Sequence, residues 1–190
     1  MEVIKYNNVV LPVHPPMTSY TPVSNAFLSV LQNENCPNDI YENFIGISYR
    51  RDFLKKGWCE FRGYYDRTAY SSLDCINLDI NHTEISKIDI SLKIMEAISA
   101  KYYVLLQIDS FYISSYINYN KTHLPHIIFV YGYDKDKKKF YVKDFFDYRI
   151  YTSTVIDFSE LDQGYLNFRK FQFQDFLGIL VFKQKSDVIS

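Results

Sequence analysis

Cysteine is scarce in this 190-residue chain: there are three, Cys36, Cys59 and Cys75, an odd number without CxxC spacing. That argues against a disulfide framework and a structural zinc site, and it fits a reducing compartment. Tryptophan occurs once, and glycine and proline six times each, which excludes collagen-like and low-complexity chains. No charge of one sign dominates, because 21 basic side chains meet 22 acidic ones for a net charge of −1. No face is basic enough for phosphate binding to be the main task, so no nucleic-acid partner is expected. No stretch reaches the roughly 18 apolar residues of a membrane helix. The N-terminus, MEVIKYNNVVLPVHPPM, lacks the basic start, apolar run and cleavage site of a signal peptide. These absences lead us to expect a cytoplasmic protein with no membrane partner.

What the chain has is apolar and aromatic mass: 47% apolar residues, with 18 Tyr and 15 Phe. Its length predicts one domain, residues 1–190, with a core of its own. Pro12, Pro15, Pro16 and Pro22 mark an extended arm ahead of a helix over about 24–34, with Ser24 as N-cap and Phe27, Val30 and Leu31 as its apolar stripe. A second helix is expected near Pro37, a strand around Trp58–Phe61 and a helix within 79–100. Strands are expected at 102–108, 127–133 and 140–143, with the Lys-Asp cluster 134–139 as a solvated hairpin turn. A further helix begins at Phe158, with Ser159 and Asp162 as a capping-box variant, and an apolar strand over 176–182 follows. With helices ahead of the sheet, the order reads as α+β, an N-terminal helical part packed on an antiparallel sheet.

The stretch Thr122-His123-Leu124-Pro125-His126-Ile127-Ile128-Phe129-Val130-Tyr131-Gly132-Tyr133-Asp134 is followed by Asp144 in Tyr-Val-Lys-Asp-Phe. A hairpin joining these strands sets His126, at the start of the first, beside Asp144, at the end of the second. A carboxylate there fixes the imidazole tautomer and stabilises the imidazolium, as the base of a thiol or hydroxyl nucleophile requires. His123-x-x-His126 lies in an extended, Pro-containing segment and has no acidic or thiol ligand at a metal-like offset, so no metal site is expected. The aromatic segments Phe111–Tyr119 and Gly63–Tyr70 read either as core and surface tyrosines or as the lining of a channel for an aryl or peptidyl group.

The pattern His126-x-x-x-Val130-x-Gly132-Tyr133-Asp134 and then a strand ending in Asp144 resembles the His and Asp half of papain-like cysteine peptidases of the bacteriocin-leader-cleaving type. It resembles more closely the N-terminal domain of butirosin-type acyltransferases and peptide-antibiotic amide synthetases. Gln107-Ile108-Asp109-Ser110-Phe111-Tyr112 and Ile156-Asp157-Phe158-Ser159-Glu160-Leu161 look similar to that group as well. The resemblance covers residues 102–165. It implies a papain-like fold and a cysteine at the N-terminus of the first core helix that takes an acyl or peptidyl group from a carrier-protein thioester and passes it to an amine. It implies no cofactor. Such a helix start lowers a thiol's pKa and supplies backbone donors to an oxyanion.

Residues 20–31 hold no thiol, however. Asn25-Ala26-Phe27 stands where an Asn-Cys-aromatic start belongs, so an inactivating Cys→Ala replacement at residue 26 is the first explanation. Cys36, in Asn35-Cys36-Pro37, is the alternative nucleophile, and Ser24 and Thr21 are weaker ones; Cys59 and Cys75 read as core residues. The upstream oxyanion glutamine of the family is missing too, leaving Tyr20, Asn25 or backbone amides to serve the oxyanion and substrate. Plain peptidase activity and a catalytically dead module that binds peptide or carrier protein stay open as alternatives.

Overall fold

The central strands are apolar along most of their length because they are covered on both faces. In the computed structural model, which describes residues 6–16, 21–31, 46–49, 59–62, 72–78, 89–168 and 178–185, the strands are β1 Asn8–Val10, β2 Gly46–Tyr49, β3 Cys59–Arg62, β4 Leu73–Leu78, β5 Tyr103–Asp109, β6 Pro125–Asp134, β7 Lys139–Asp144, β8 Thr152–Asp157 and β9 Ile179–Gln184. The helices are α1 Pro22–Val30, α2 Ile90–Ser99 and α3 Phe158–Phe168, with one 3-10 turn at Ser110–Tyr112. Seven strands form one antiparallel sheet in the order β4-β9-β5-β6-β7-β8, and β1 also pairs with β6; β2 and β3 pair separately. The architecture is α+β. Its elements interleave, α2 preceding β5 and α3 preceding β9, so the expectation that the helices come first is corrected while the antiparallel sheet stands.

β6 is the spine. β7 lies along one side of it, through Phe129↔Lys143 to Asp134↔Lys139. On the other side β5 pairs with Pro125–Val130, and β1 takes over at Gly132–Asp134. The arm that ends in α1 follows this seam: Leu11 N donates to Tyr131 O at 2.9 Å, and His14 N donates to Ser29 O at 2.8 Å. Tyr103, Phe129 and Phe182 place rings from β5, β6 and β9 within 5.7–5.9 Å of one another. Phe27 docks α1 on this cluster, edge-on to Phe182 at 4.9 Å. Each such ring taken from water contributes roughly 1.5–3 kcal/mol, more than a surface ion pair.

Three local expectations shift. α1 starts at Pro22, earlier than the Ser24 cap predicts, because Thr21 is the N-cap: its hydroxyl accepts from Ser24 N at 3.1 Å, and proline suits the first helical turn. At α3 the box forms two residues earlier than Ser159/Asp162. Glu160 Oε2 accepts from Asp157 N at 2.8 Å, while Asp162 Oδ1 reaches α2 and accepts from Ser91 N and Oγ at 3.1 and 2.8 Å. Strands β1, β2, β4 and β8 are not among those the sequence leads one to expect. The helix near Pro37 lies outside the described residues, as does 79–88 of the 79–100 segment, whose helix is seen from Ile90 with Asp89 as N-cap. No helix among the described residues is long and apolar enough to cross a membrane.

Gly132 sits where β6 passes from β5 to β1, at a register shift opposite β7. A Cβ there would lie 2.8 Å from Val9 O and 3.0 Å from the Tyr141 ring. Because the first obstacle is backbone, Gly132→Ala is expected to destabilise the fold by about 1–3 kcal/mol. Denaturant unfolding checks this, and an unchanged midpoint contradicts it.

Candidate active site

Proline is tolerated at the first position of a strand, so Pro125 opens β6 and delivers His126 to the end of the sheet where β7 finishes at Asp144. His126 Nδ1 lies 3.0 Å from Asp144 Oδ2; the carboxylate is 0% exposed and the imidazole side chain 13% exposed. Ile127 N–H is placed to donate to Nδ1 at 3.0 Å when that nitrogen carries no proton, and Ile127 O lies 3.3 Å from it. A carboxylate only accepts, so pairing with Asp144 puts the proton on Nδ1 in place of that backbone bond, and the lone pair of the neutral ring is then on Nε2. Burial of the ring lowers its pKa, but the hydrogen bond and charge of Asp144 outweigh that, and His126 titrates above its ordinary 6.5. This is the arrangement of a general base held in one tautomer.

Three tyrosines surround the carboxylate. Tyr116 OH donates to Asp144 Oδ2, the oxygen His126 also uses, and its ring stands 5.2 Å from the imidazole. Burial, then the Asp144 charge, holds the Tyr116 phenol far above its usual range, so it is a donor at any ordinary pH. Tyr151 is raised by the same two causes, partly offset by the Ser29 hydroxyl it faces. Neither of those two hydroxyls reaches full hydrogen-bond geometry, and Asp144 Oδ1 has no hydrogen-bond partner among the described residues. Tyr148 forms another wall, its ring 5.8 Å from His126. Its φ of 62° is a left-handed conformation that costs a bulky residue energy, and it is held there by a 2.8 Å bond from its hydroxyl to Asn118 Oδ1.

The other sequence candidates are placed as follows. Because α1 starts at Pro22, Ala26 lies in the second helical turn, 0% exposed in the core beside Phe27, and not among the first-turn amides. The expected nucleophile position thus holds a buried alanine one turn inside the helix. Asn25 is fully buried too. Ser24 is a first-turn residue whose N–H is capped by Thr21. Tyr20 and Cys36 lie outside the described residues, as does the side chain of Cys59. Cys75 is half-buried on β4, paired with Phe182 of β9 across the sheet from His126. His123 pairs with Asp109 at the end of β5, not with Asp144. Sequence reasoning missed Tyr148 and the role of Asp109, and it held Tyr116 only as one ring of the aromatic segment 111–119; Asp109 had a signal too, an acidic residue closing an apolar strand as Asp144 does.

Comparisons with protein-family models, curated proteins and solved structures find no match. The chemistry is therefore argued from the dyad's own geometry. Among the described residues no three His, Cys, Asp or Glu side chains gather as a metal set, and an imidazole held as His126 is can exchange a proton at Nε2.

Since the folded pKa of His126 exceeds its unfolded value, the pair adds stability that is fully present below about pH 6.5 and is lost as the pH rises through the folded value. Asp144→Asn leaves burial as the larger influence. An NMR titration of the His126 ring is expected to move from above the ordinary value to below it, and a value still raised would show that another group holds the proton.

Proposed function

We propose that the chain is a papain-like acyl-transfer domain, an amide synthetase that moves an acyl or peptidyl group from a carrier-protein thioester to an amine in natural-product assembly. The observation that carries this reading is the fully buried Asp144 gripping His126 Nδ1 at 3.0 Å at the loop-rich end of the sheet. An imidazole so held accepts a proton from an attacking group and returns it to a leaving thiol, and the two roles need one ring in one orientation. The surrounding wall of Tyr116, Phe146 and Tyr148 is aromatic. Such a wall limits water, which transfer to an amine requires. Cys36 is the thiol this reading assigns to the covalent step, since residue 26 is an alanine turned into the core.

One observation favours a second reading, a module that binds peptide or carrier protein without turnover: α1 presents no thiol, and Ala26 is fully enclosed. Incubating the protein with an acyl thioester and an amine and weighing the products separates the two. Amide formation that falls roughly 10²–10⁴-fold in His126→Ala, at unchanged melting temperature, supports acyl transfer. Free acid alone indicates a hydrolase. Neither product, with retained carrier-protein binding, indicates the module. Full activity in folded His126→Ala removes the assignment.

A further inference from the structure

Two His–Asp pairs flank the start of β6, and the reading above uses one. Asp109 closes β5 and is 1% exposed; its Oδ2 lies 2.6 Å from His123 Nδ1. Its Oδ1 accepts from Phe111 N at 3.1 Å and Leu124 N at 3.2 Å. Those two backbone bonds already tie down the loop. What the imidazole adds is an oriented acid–base group: the carboxylate places the proton of the neutral ring on Nδ1. The ring lies flat on Phe111, 4.0 Å away at 18°. Its side chain is 51% exposed, within reach of an incoming molecule.

The two pairs straddle one strand. Asp109 stands opposite Pro125 and Ile108 opposite His126, so His123 reaches to β5 while His126 reaches to β7. The three chain steps from His123 to His126, through Leu124 and Pro125, span at most about 10 Å between Cα atoms. Tyr148 locks the spacing: its ring lies against His126, and its hydroxyl bonds Asn118, whose Nδ2 holds Ser110 Oγ and Thr122 O at 2.8 Å each. Those residues are the chain neighbours of Asp109 and His123.

An amine acceptor poses a proton problem that water does not. Near neutral pH it arrives as an ammonium ion, α-amines titrating near 8 and alkyl amines near 10. It must lose one proton before its lone pair can attack the acyl carbon. It loses a second as the C–N bond forms, the C–S bond breaks and the departing sulfur is protonated. His126 carries that second proton from nitrogen to sulfur; the first needs another base. We infer that His123, held by Asp109, takes the first proton from the ammonium acceptor and is a further catalytic residue, one that selects amines over water at this site. The inference rests on the acyl-transfer reading. The proton taken up by His123 leaves to solvent through its exposed side, so the site resets after each transfer.

The test uses the full chain with an aryl N-acetylcysteamine thioester and either glycinamide, an ammonium ion at about pH 7, or hydroxylamine, which is weakly basic and arrives neutral. In His123→Gln the amide-to-acid ratio with glycinamide at about pH 7 is expected to fall up to roughly tenfold, the factor by which the ammonium form exceeds the neutral one there, and to recover above about pH 8, whereas the ratio with hydroxylamine stays near that of the unsubstituted protein. An equal fall with both amines indicates a structural role and overturns the inference, as does an unchanged ratio. If the unsubstituted protein turns over neither amine, the acyl-transfer reading fails and the inference falls with it; amide formation with an unaltered ratio in His123→Gln removes the inference alone.

Discussion

The end of the sheet that carries His126 is organised around one buried negative charge. Asp144 is fully enclosed, and a carboxylate taken out of water costs several kcal/mol unless its hydrogen-bond capacity is met. Two donors, His126 and Tyr116, share its Oδ2. A hydrogen bond to a charged acceptor contributes about 1.5–3 kcal/mol, so neither donor alone offsets the desolvation and the two together roughly do. The imidazole, the phenol and the end of β7 are thus held as a unit, which makes the His126 geometry a property of the fold and not of one side chain.

Other ion pairs are of a different kind. Lys93–Glu96, Lys137–Asp134 and Lys139–Asp157 join lysines to carboxylates at 2.9–3.1 Å at the surface, where solvent screening removes most of their attraction. The Lys-Asp cluster of the hairpin is a turn, with Asp134 Oδ1 accepting from Lys137 N at 2.9 Å. Cohesion comes instead from the rings of Phe27, Tyr103, Phe129 and Phe182, which join α1 to three strands.

Much of this was legible in the sequence where the local signal and the tertiary outcome agree. The runs 103–109, 125–134 and 139–144 are apolar and β-branched because they are buried, so the hairpin and the meeting of His126 with Asp144 could be derived before the fold was seen. β8 has a mostly exposed edge-strand pattern, and β4 pairs with a strand about a hundred residues later; neither leaves a local trace. The start of α1 was misplaced because two capping residues, Thr21 and Ser24, compete within one turn and the proline between them decides. Tyr116 and Tyr148 were two tyrosines among 18, and only the path of the 113–124 and 145–151 loops brings them to the carboxylate.

The arm beside β6 has a consequence for how the molecule is assembled. Tyr133 OH donates to Tyr6 O, 127 residues away in sequence, and also contacts Ser99 Oγ at 2.9 Å. Closing so long a loop has a large entropic cost, so contacts of this type form slowly. Until residues 8–10 dock, one side of β6 ends at Val130, leaving the backbone groups of 132–134 without their β1 partners. The first strand in the sequence is then among the last placed in the sheet, and during that interval the outer half of β6 is an open edge that another extended chain can pair with.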